Sequence, residues 1–351
     1  MDTGFIIEKF ILVAVIFGIS LVIAMYSTYA ERKVAAFLQD RLGPDRAGPF
    51  GILQPLADGV KMFMKEEIIP TTSNRWLFIV GPGLALLCAC IGTAVIPWGN
   101  PIEIGGKTIP LQVTDINVGV LYIFGVVSLG VYGVMIGGWA SNNKYSLLSA
   151  IRAASQNISY EIAMGLSIIA LLLVTNSLSL KEIVSKQHGF WENGWFTWYF
   201  FKQPLGFIIF MVCSFAETNR APFDLPECET ELIGGYHTEY SSMKLGFYLF
   251  AEYINMFVSS AVMATLYFGG FNYPFMDLAA THWGQNWASI IGVIIFFGKI
   301  CGFIFFFMWV RWTIPRFRYD QLMNLGWKGL IPLAIANIII TGVVIAIIEK
   351  F

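Results

Sequence analysis

The stretch SFAETNRAPFDLPECETEL, Ser214 to Leu232, gathers Glu217, Asp224, Glu227, Glu229 and Glu231 around Arg220 directly behind an apolar run. Carboxylates at this density repel one another, and such crowding raises the pKa of some of them. Solvated, they form an acidic surface; lining a cavity, they store and pass protons. Phe215, Phe223, Leu225 and Leu232 interleave with the acids and favour partial burial. Pro222 and Pro226 interrupt any regular helix, so NRAPFDLPE is expected to be an ordered irregular segment.

Three further ionisable residues sit inside apolar runs: Glu161 in SYEIAMGLSII, Glu252 in FYLFAEYINMF and Lys299 in FFGKICGFIFFF. Burying each costs at least about 2.5 kcal/mol on insertion scales. Glu161 and Glu252 lie within two or so turns of one interface, so snorkelling and burial both fit them. Lys299 is too central to snorkel easily, and a water-filled cavity or a carboxylate partner is the expectation. Glu161, Glu217 and Glu252 fall in the same half of their segments and form a candidate proton relay. Glu227, Glu229 and Glu231 continue it, and Lys299 is a charge that it biases.

The chain that must position these groups has 351 residues, 56% hydrophobic and 13% charged. That composition defines an all-α integral membrane protein, because only helices satisfy their own backbone in hydrocarbon. Eight segments are apolar enough to span: roughly Phe10 to Tyr29, Leu77 to Ile96, Ile116 to Gly138, Ile158 to Val174, Tyr199 to Ala216, Gly246 to Phe268, Ala288 to Val310 and Leu330 to Ile348. The first lacks a basic leader and a small-residue cleavage site and reads as a retained helix. Connections after spans one, three, five and seven hold fifteen Lys or Arg against six on the other side. They are therefore expected inside, with both termini outside.

The whole chain, residues 1–351, reads as one polytopic domain with three notable inside loops, 31–76, 217–245 and 311–328. In the first, Ile52, Leu53, Leu56, Val60, Phe63 and Met64 recur at helical spacing, which predicts an amphipathic helix in the interface. In the last, Arg311, Arg316 and Arg318 stand beside Tyr319 and Asp320; arginines so placed ordinarily anchor to lipid phosphate. Cys88, Cys90, Cys213 and Cys301 lie in apolar runs and Cys228 stands alone, so no metal or iron–sulfur site is expected. His188, His237 and His282 are scattered, and no basic run points to nucleic acid.

Four segments together resemble one family, the membrane subunit of respiratory complex I that joins the quinone chamber to the pump arm, called the H subunit in bacteria and subunit 1 in mitochondria. They are ERKVAAFLQDRLGPDRAGPFGILQPLADGVK (Glu31 to Lys61), SYEIAMGL (Ser159 to Leu166), FAETNRAPFDLPECETELIGGYHTEY with AEYINM (Phe215 to Tyr240, Ala251 to Met256) and RWTIPRFRYDQLM (Arg311 to Met323). The resemblance implies a proton-pumping NADH:quinone oxidoreductase whose quinone, ubiquinone or menaquinone, enters by a tunnel made largely by this subunit. It implies that flavin and iron–sulfur clusters sit in peripheral partner subunits, that small membrane subunits and antiporter-like subunits pack alongside with lipid, and that this chain alone holds no prosthetic group and no catalytic residue. By matched position, Glu31, Arg32, Arg41 and Asp58 line or brace the tunnel, Phe223 and Asp224 stand beside the chamber, and Arg311, Arg316 and Arg318 lie near it. Glu217, Glu227, Glu229 and Glu231 match the acidic loop that answers quinone reduction, and Glu161 and Glu252 match the carboxylates leading onward.

The segment Asn176 to Trp198 is longer than in compact mitochondrial relatives, which implies a bacterial cytoplasmic membrane, and the charge bias then makes the termini periplasmic. Two alternatives compete. The membrane subunit of energy-converting hydrogenases shares the acidic loop, but the intact QDRLGPDRAGPFGILQPLADG segment favours a quinone tunnel. An autonomous ion or solute transporter would use Glu161, Glu252 and Lys299 as its site; the chain shows no paired internal repeat of the kind many transporters carry.

Overall fold

The computed structural model describes residues 3–187, 197–227, 232–274, 276–348 and 350. Long apolar runs become helices because a bilayer leaves the backbone no other partner. In chain order these are α1 (Thr3–Leu38), α2 (Gln54–Met64), α3 (Arg75–Ile91), α4 (Gly119–Ala140), α5 (Lys144–Thr175), α6 (Leu180–Ser185), α7 (Tyr199–Lys202), α8 (Pro204–Glu217), α9 (Ser242–Tyr267), α10 (Met276–Trp283), α11 (Gln285–Thr313), α12 (Tyr319–Asn324) and α13 (Ile331–Ile348). A two-stranded antiparallel hairpin, β1 (Ile102–Ile104) with β2 (Lys107–Ile109), follows α3, and a π-type turn at Leu325–Leu330 joins α12 to α13.

Seven of these helices are long and apolar enough to cross a bilayer, which bears out the all-α membrane class. The fifth expected span, roughly Tyr199 to Ala216, differs. Pro204 lacks an amide proton and Gln203 leaves the helical region, so the run breaks into α7 and the 14-residue α8. At roughly 1.5 Å per residue, α8 reaches about 21 Å, short of the hydrocarbon thickness. The break is satisfied inside the bundle: Gln203 donates to Thr341 Oγ1 at 2.8 Å and accepts from Asn337 Nδ2 at 3.1 Å.

Helix α1 continues past the expected end of its span to Leu38, so Glu31 and Arg32 are helical residues, not loop residues. The predicted amphipathic helix is α2, whose Leu56, Val60, Phe63 and Met64 stand exposed while Pro55 is buried. Glycine lets α3, α4 and α9 approach closely. A Cβ on Gly133 would lie 2.7 Å from the Ala85 amide nitrogen, and one on Gly137 would lie 1.9 Å from the Tyr248 hydroxyl, which donates to Gly133 O at 3.0 Å.

Three connections converge at one end of the bundle. The Ile68 amide donates to Ser241 Oγ at 3.0 Å and Ser242 Oγ to Met62 O at 3.1 Å, tying the loop after α2 to the start of α9. The Phe317 amide donates to Pro222 O at 3.1 Å, tying the loop before α12 to the acidic segment. Gln156 in mid-α5 donates to Ala216 O at 2.8 Å and Phe223 O at 2.9 Å, so a buried helix amide holds the irregular backbone that Pro222 and Pro226 impose. Phe223 completes this seam, packed between the rings of Tyr160 and Phe317.

Candidate functional site

At that end α1, α11 and the segment after α8 bring an anion and two cations into contact, with Tyr253 of α9 against them. Glu31 is 6% exposed and Arg220 4% exposed. Glu31 Oε2 accepts from Arg220 Nη1 at 2.9 Å and from the Tyr253 hydroxyl at 2.7 Å, while Oε1 accepts from Arg311. The Arg220 guanidinium also lies over the Tyr253 ring at 4.1 Å. Burial opposes its charge, yet Tyr253, Glu31 and Glu252 outweigh burial and hold the guanidinium above its ordinary pKa.

A groove of about 120 Å³ opens beside this cluster, between α1, α2 and α9. Met25, Met62 and Phe250 give it apolar walls, Tyr253 is shared with the cluster, and Arg32 and Asp58 stand together on its rim at 2.7 Å. Gln54 and Lys61 reach the same Asp58 carboxylate, which fixes the rim against α2.

On the other side of the cluster stand the loop acids. Asp224 is buried, receives Arg316 Nη2 at 3.2 Å on Oδ2, and has no hydrogen bond on Oδ1 among the described residues. Burial, then the neighbouring Glu227, push its carboxyl up to about 7 against the pull of Arg311, Arg316 and Arg220. Glu227 shares a hydrogen bond with Glu252, and two carboxyls can share one only with a proton between them. Burial raises Glu227, but that bond, His237, Arg220 and Arg311 together hold it below the usual carboxylate range. Glu252 Oε1 also accepts from the Tyr236 hydroxyl at 2.9 Å. Burial, then Glu252 and Glu227, push that phenol well above its ordinary pKa, so it stays a donor.

Glu252 faces a polar cavity of about 40 Å³ shared with Glu217 and Glu161 and edged by Ser128, Asn157, Asn219 and Asn255. One water needs roughly 10–15 Å³ by this measure, so the space suits a short file of waters. Glu161 accepts from Ser128 in α4. Ionisable groups thus recur from the rim of the groove to the cavity inside the bundle.

Not every residue singled out from the sequence joins it. Arg41 pairs locally with Gln39 and Arg318 with Asp320, all exposed, so both stand on the surface. Glu229 and Glu231 lie outside the described residues, as do Cys228 and His188. Lys299 corrects its expectation of a carboxylate partner or a water cavity. Its ammonium donates to the carbonyls of Phe268, Gly270 and Asn272 at 2.7, 2.8 and 2.9 Å and lies 5.1 Å from the Trp198 ring centre. Gly269 and Gly270 take positive φ there, which turns the carbonyls at the end of α9 toward the lysine. Phe268 lies sixteen residues beyond Glu252, about 24 Å along the helix axis at roughly 1.5 Å per residue. Lys299→Met should lower the stability of the assembled protein by about 1–3 kcal/mol by orphaning these carbonyls, read as a fall in thermal unfolding temperature.

Sequence reasoning missed Tyr253, Tyr236, Gln156, Ser128 and His237. The signal for two of them was at hand, since Tyr253 follows Glu252 directly and Gln156 is a polar amide shortly before the apolar run that holds Glu161. Ser128 carried none.

The fold and site define a polytopic helical membrane protein with a surface groove at one end and carboxylates inside its bundle. Within that class the chain belongs to the NADH dehydrogenase family, which it matches over residues 10–342. It is 70% identical over 338 residues to the NADH-quinone oxidoreductase H subunit 1 of Cytophaga hutchinsonii, covering 96% of each chain. It is 63% identical over 345 residues to the NADH-quinone oxidoreductase H subunit of Flavobacterium johnsoniae, covering 98% of this chain and 97% of the relative. At greater distance, the NADH-quinone oxidoreductase H subunit 2 of Geobacter metallireducens is 49% identical over 358 residues, covering 99% and 98%.

Proposed function

We propose that this chain is the quinone-tunnel and coupling subunit of a proton-pumping NADH:quinone oxidoreductase, non-autonomous as an enzyme and active only with its partner subunits. The observation that supports the reading is the set of ionisable groups that runs from the groove rim at Arg32 and Asp58, by Tyr253, Glu31, Arg220 and Arg311, toward Asp224, Glu227, Glu252 and the cavity shared with Glu217 and Glu161. A groove with apolar walls and a charged rim suits a quinone whose isoprenoid tail stays in hydrocarbon while its head meets polar groups. Peripheral subunits carrying flavin and iron–sulfur clusters deliver the electrons, and antiporter-like membrane subunits receive the signal. The bacterial relatives and the excess of Lys and Arg on one side support a cytoplasmic-membrane location with outside termini.

Reducing a quinone places negative charge that protons must compensate. Asp224, Glu227 and Glu252 interact strongly enough to redistribute their shared protons when that charge appears. In a poorly screened interior the redistribution biases Glu217 and Glu161 across the cavity. The test is Glu217→Gln, which keeps shape and removes the exchangeable proton. In native membranes it should lower NADH-driven reduction of a short-chain quinone about tenfold or more, with electron transfer to an artificial acceptor upstream unchanged. Retention of both activities would reduce the carboxylates to packing.

A further inference from the structure

Two buried polar atoms in the site face each other without a hydrogen bond. Glu227 Oε1 and His237 Nδ1 are 3.8 Å apart, and each has no hydrogen-bond partner among the described residues. Yet about a fifth of the His237 side chain is exposed. The ring therefore bridges from the protein surface to the carboxyl pair Glu227 and Glu252, with its buried nitrogen turned inward.

We propose that His237 is the side chain through which protons reach that pair from the loop surface, a role that rests on the relay reading above. The step balances simply. A proton is taken up from water at Nε2, the proton on Nδ1 passes to Glu227 Oε1, and the ring returns to its starting tautomer before the next transfer. No other bond is made or broken. The gap must close by about 1 Å for the transfer, as catalytic hydrogen bonds commonly do when a site is occupied. Imidazole suits the task because its charge changes near neutral pH and its two nitrogens serve different sides.

The surroundings give the histidine few other partners. Gly235, whose φ is +72°, starts the turn, and a Cβ there would lie 2.1 Å from Pro226 O, so the turn is pressed onto the backbone just before Glu227. Tyr236 holds Glu252 and sets its ring edge-on to the imidazole at 5.1 Å. Helix α4 packs on the turn and brings no charged side chain. Helix α5 packs on it too, with Lys144 over Tyr145, Arg152 over Tyr319 and Glu161 on Ser128. On its own loop Glu239 accepts from Asn143 at 2.7 Å, and Arg220 acts on Glu227 as a nearby positive charge.

The experiment is His237→Gln in the intact complex in native membranes, with quinone-linked turnover followed from pH 6 to pH 8.5 and the upstream artificial acceptor as control. Turnover should fall about fivefold at pH 8, approach the parent value at pH 6 where protons in water replace the histidine, and recover at pH 8 on adding free imidazole. His237→Asn should behave alike. Loss that is uniform across pH and insensitive to imidazole would make the residue structural and overturn the proposal, as would no loss at any pH. Glu217→Gln separates the two ideas: if it alone impairs turnover, the relay stands without His237, and if neither variant does, the relay reading itself falls.

Discussion

Glu31→Ala should prevent accumulation of the assembled complex. Its carboxylate accepts from Arg220, Tyr253 and Arg311 at once, and it is nearly sealed from water. Removing it leaves two guanidinium groups facing each other in a medium that screens them poorly. Arg220 has no reserve, since its Nε and Nη2 already lack hydrogen-bond partners among the described residues. Stranding one member of a buried ion pair costs about 3–5 kcal/mol, a large share of the stability of any domain. The measurement is thermal unfolding of the purified complex beside its yield, judged against Glu31→Gln. Glutamine keeps one acceptor oxygen and should lose less. Adding Arg220→Met to Glu31→Met should recover part of the deficit, because it removes the more deeply buried of the two stranded charges and leaves only the partly exposed Arg311. An alanine variant as stable as the parent would mean that the cluster is held from elsewhere.

That cluster also shows where sequence reading stops. Arg220 is conspicuous as the lone base among acids, and Glu31 opens the first inside segment, but 189 positions separate them and nothing local says that they touch. Such pairs depend on which helices become neighbours, and a single sequence does not encode that legibly. Hydropathy, by contrast, needs no partner. It locates the long spans because each must satisfy hydrocarbon on its own.

The same distinction explains where expectation and fold part. Helix α8 is shorter than its apolar content predicts, because Pro204 breaks the amide ladder that hydropathy ignores. A buried charge needs compensation, and the sequence predicts a carboxylate or a water cavity for Lys299. Three carbonyls and an aromatic ring supply the compensation instead, and backbone carbonyls presented by glycines at positive φ leave no charge pattern in the sequence. For the carboxylates the residue types are legible and the geometry is not. Glu161, Glu217 and Glu252 come together around one cavity only because α5, α8 and α9 pack in one bundle.

Asp224 should make the folded state sensitive to pH across the physiological range. Its carboxyl titrates at about 7 in the fold against an ordinary value of 3.8, chiefly through burial and then through Glu227. The folded protein thus binds this proton more tightly than the unfolded chain does. The stabilisation is complete below about pH 4 and is lost as pH rises through about 7. The shift corresponds to a few kcal/mol, at about 1.4 kcal/mol per unit. Asp224→Asn fixes the neutral state, so its unfolding temperature should decline less between pH 5 and pH 8 than the parent's. Arg316→Ala supplies the converse. Arg316 pulls the carboxyl down, so its removal should move the decline to higher pH. If the parent and the asparagine variant fall in parallel, Asp224 is ionised throughout and its charge is compensated more completely than the single 3.2 Å contact to Arg316 implies. A carboxyl that titrates at about 7 among Arg311, Arg316, Arg220 and Glu227 should exchange its proton when a charge appears beside it, and the pH at which that exchange is easiest should move with Arg316.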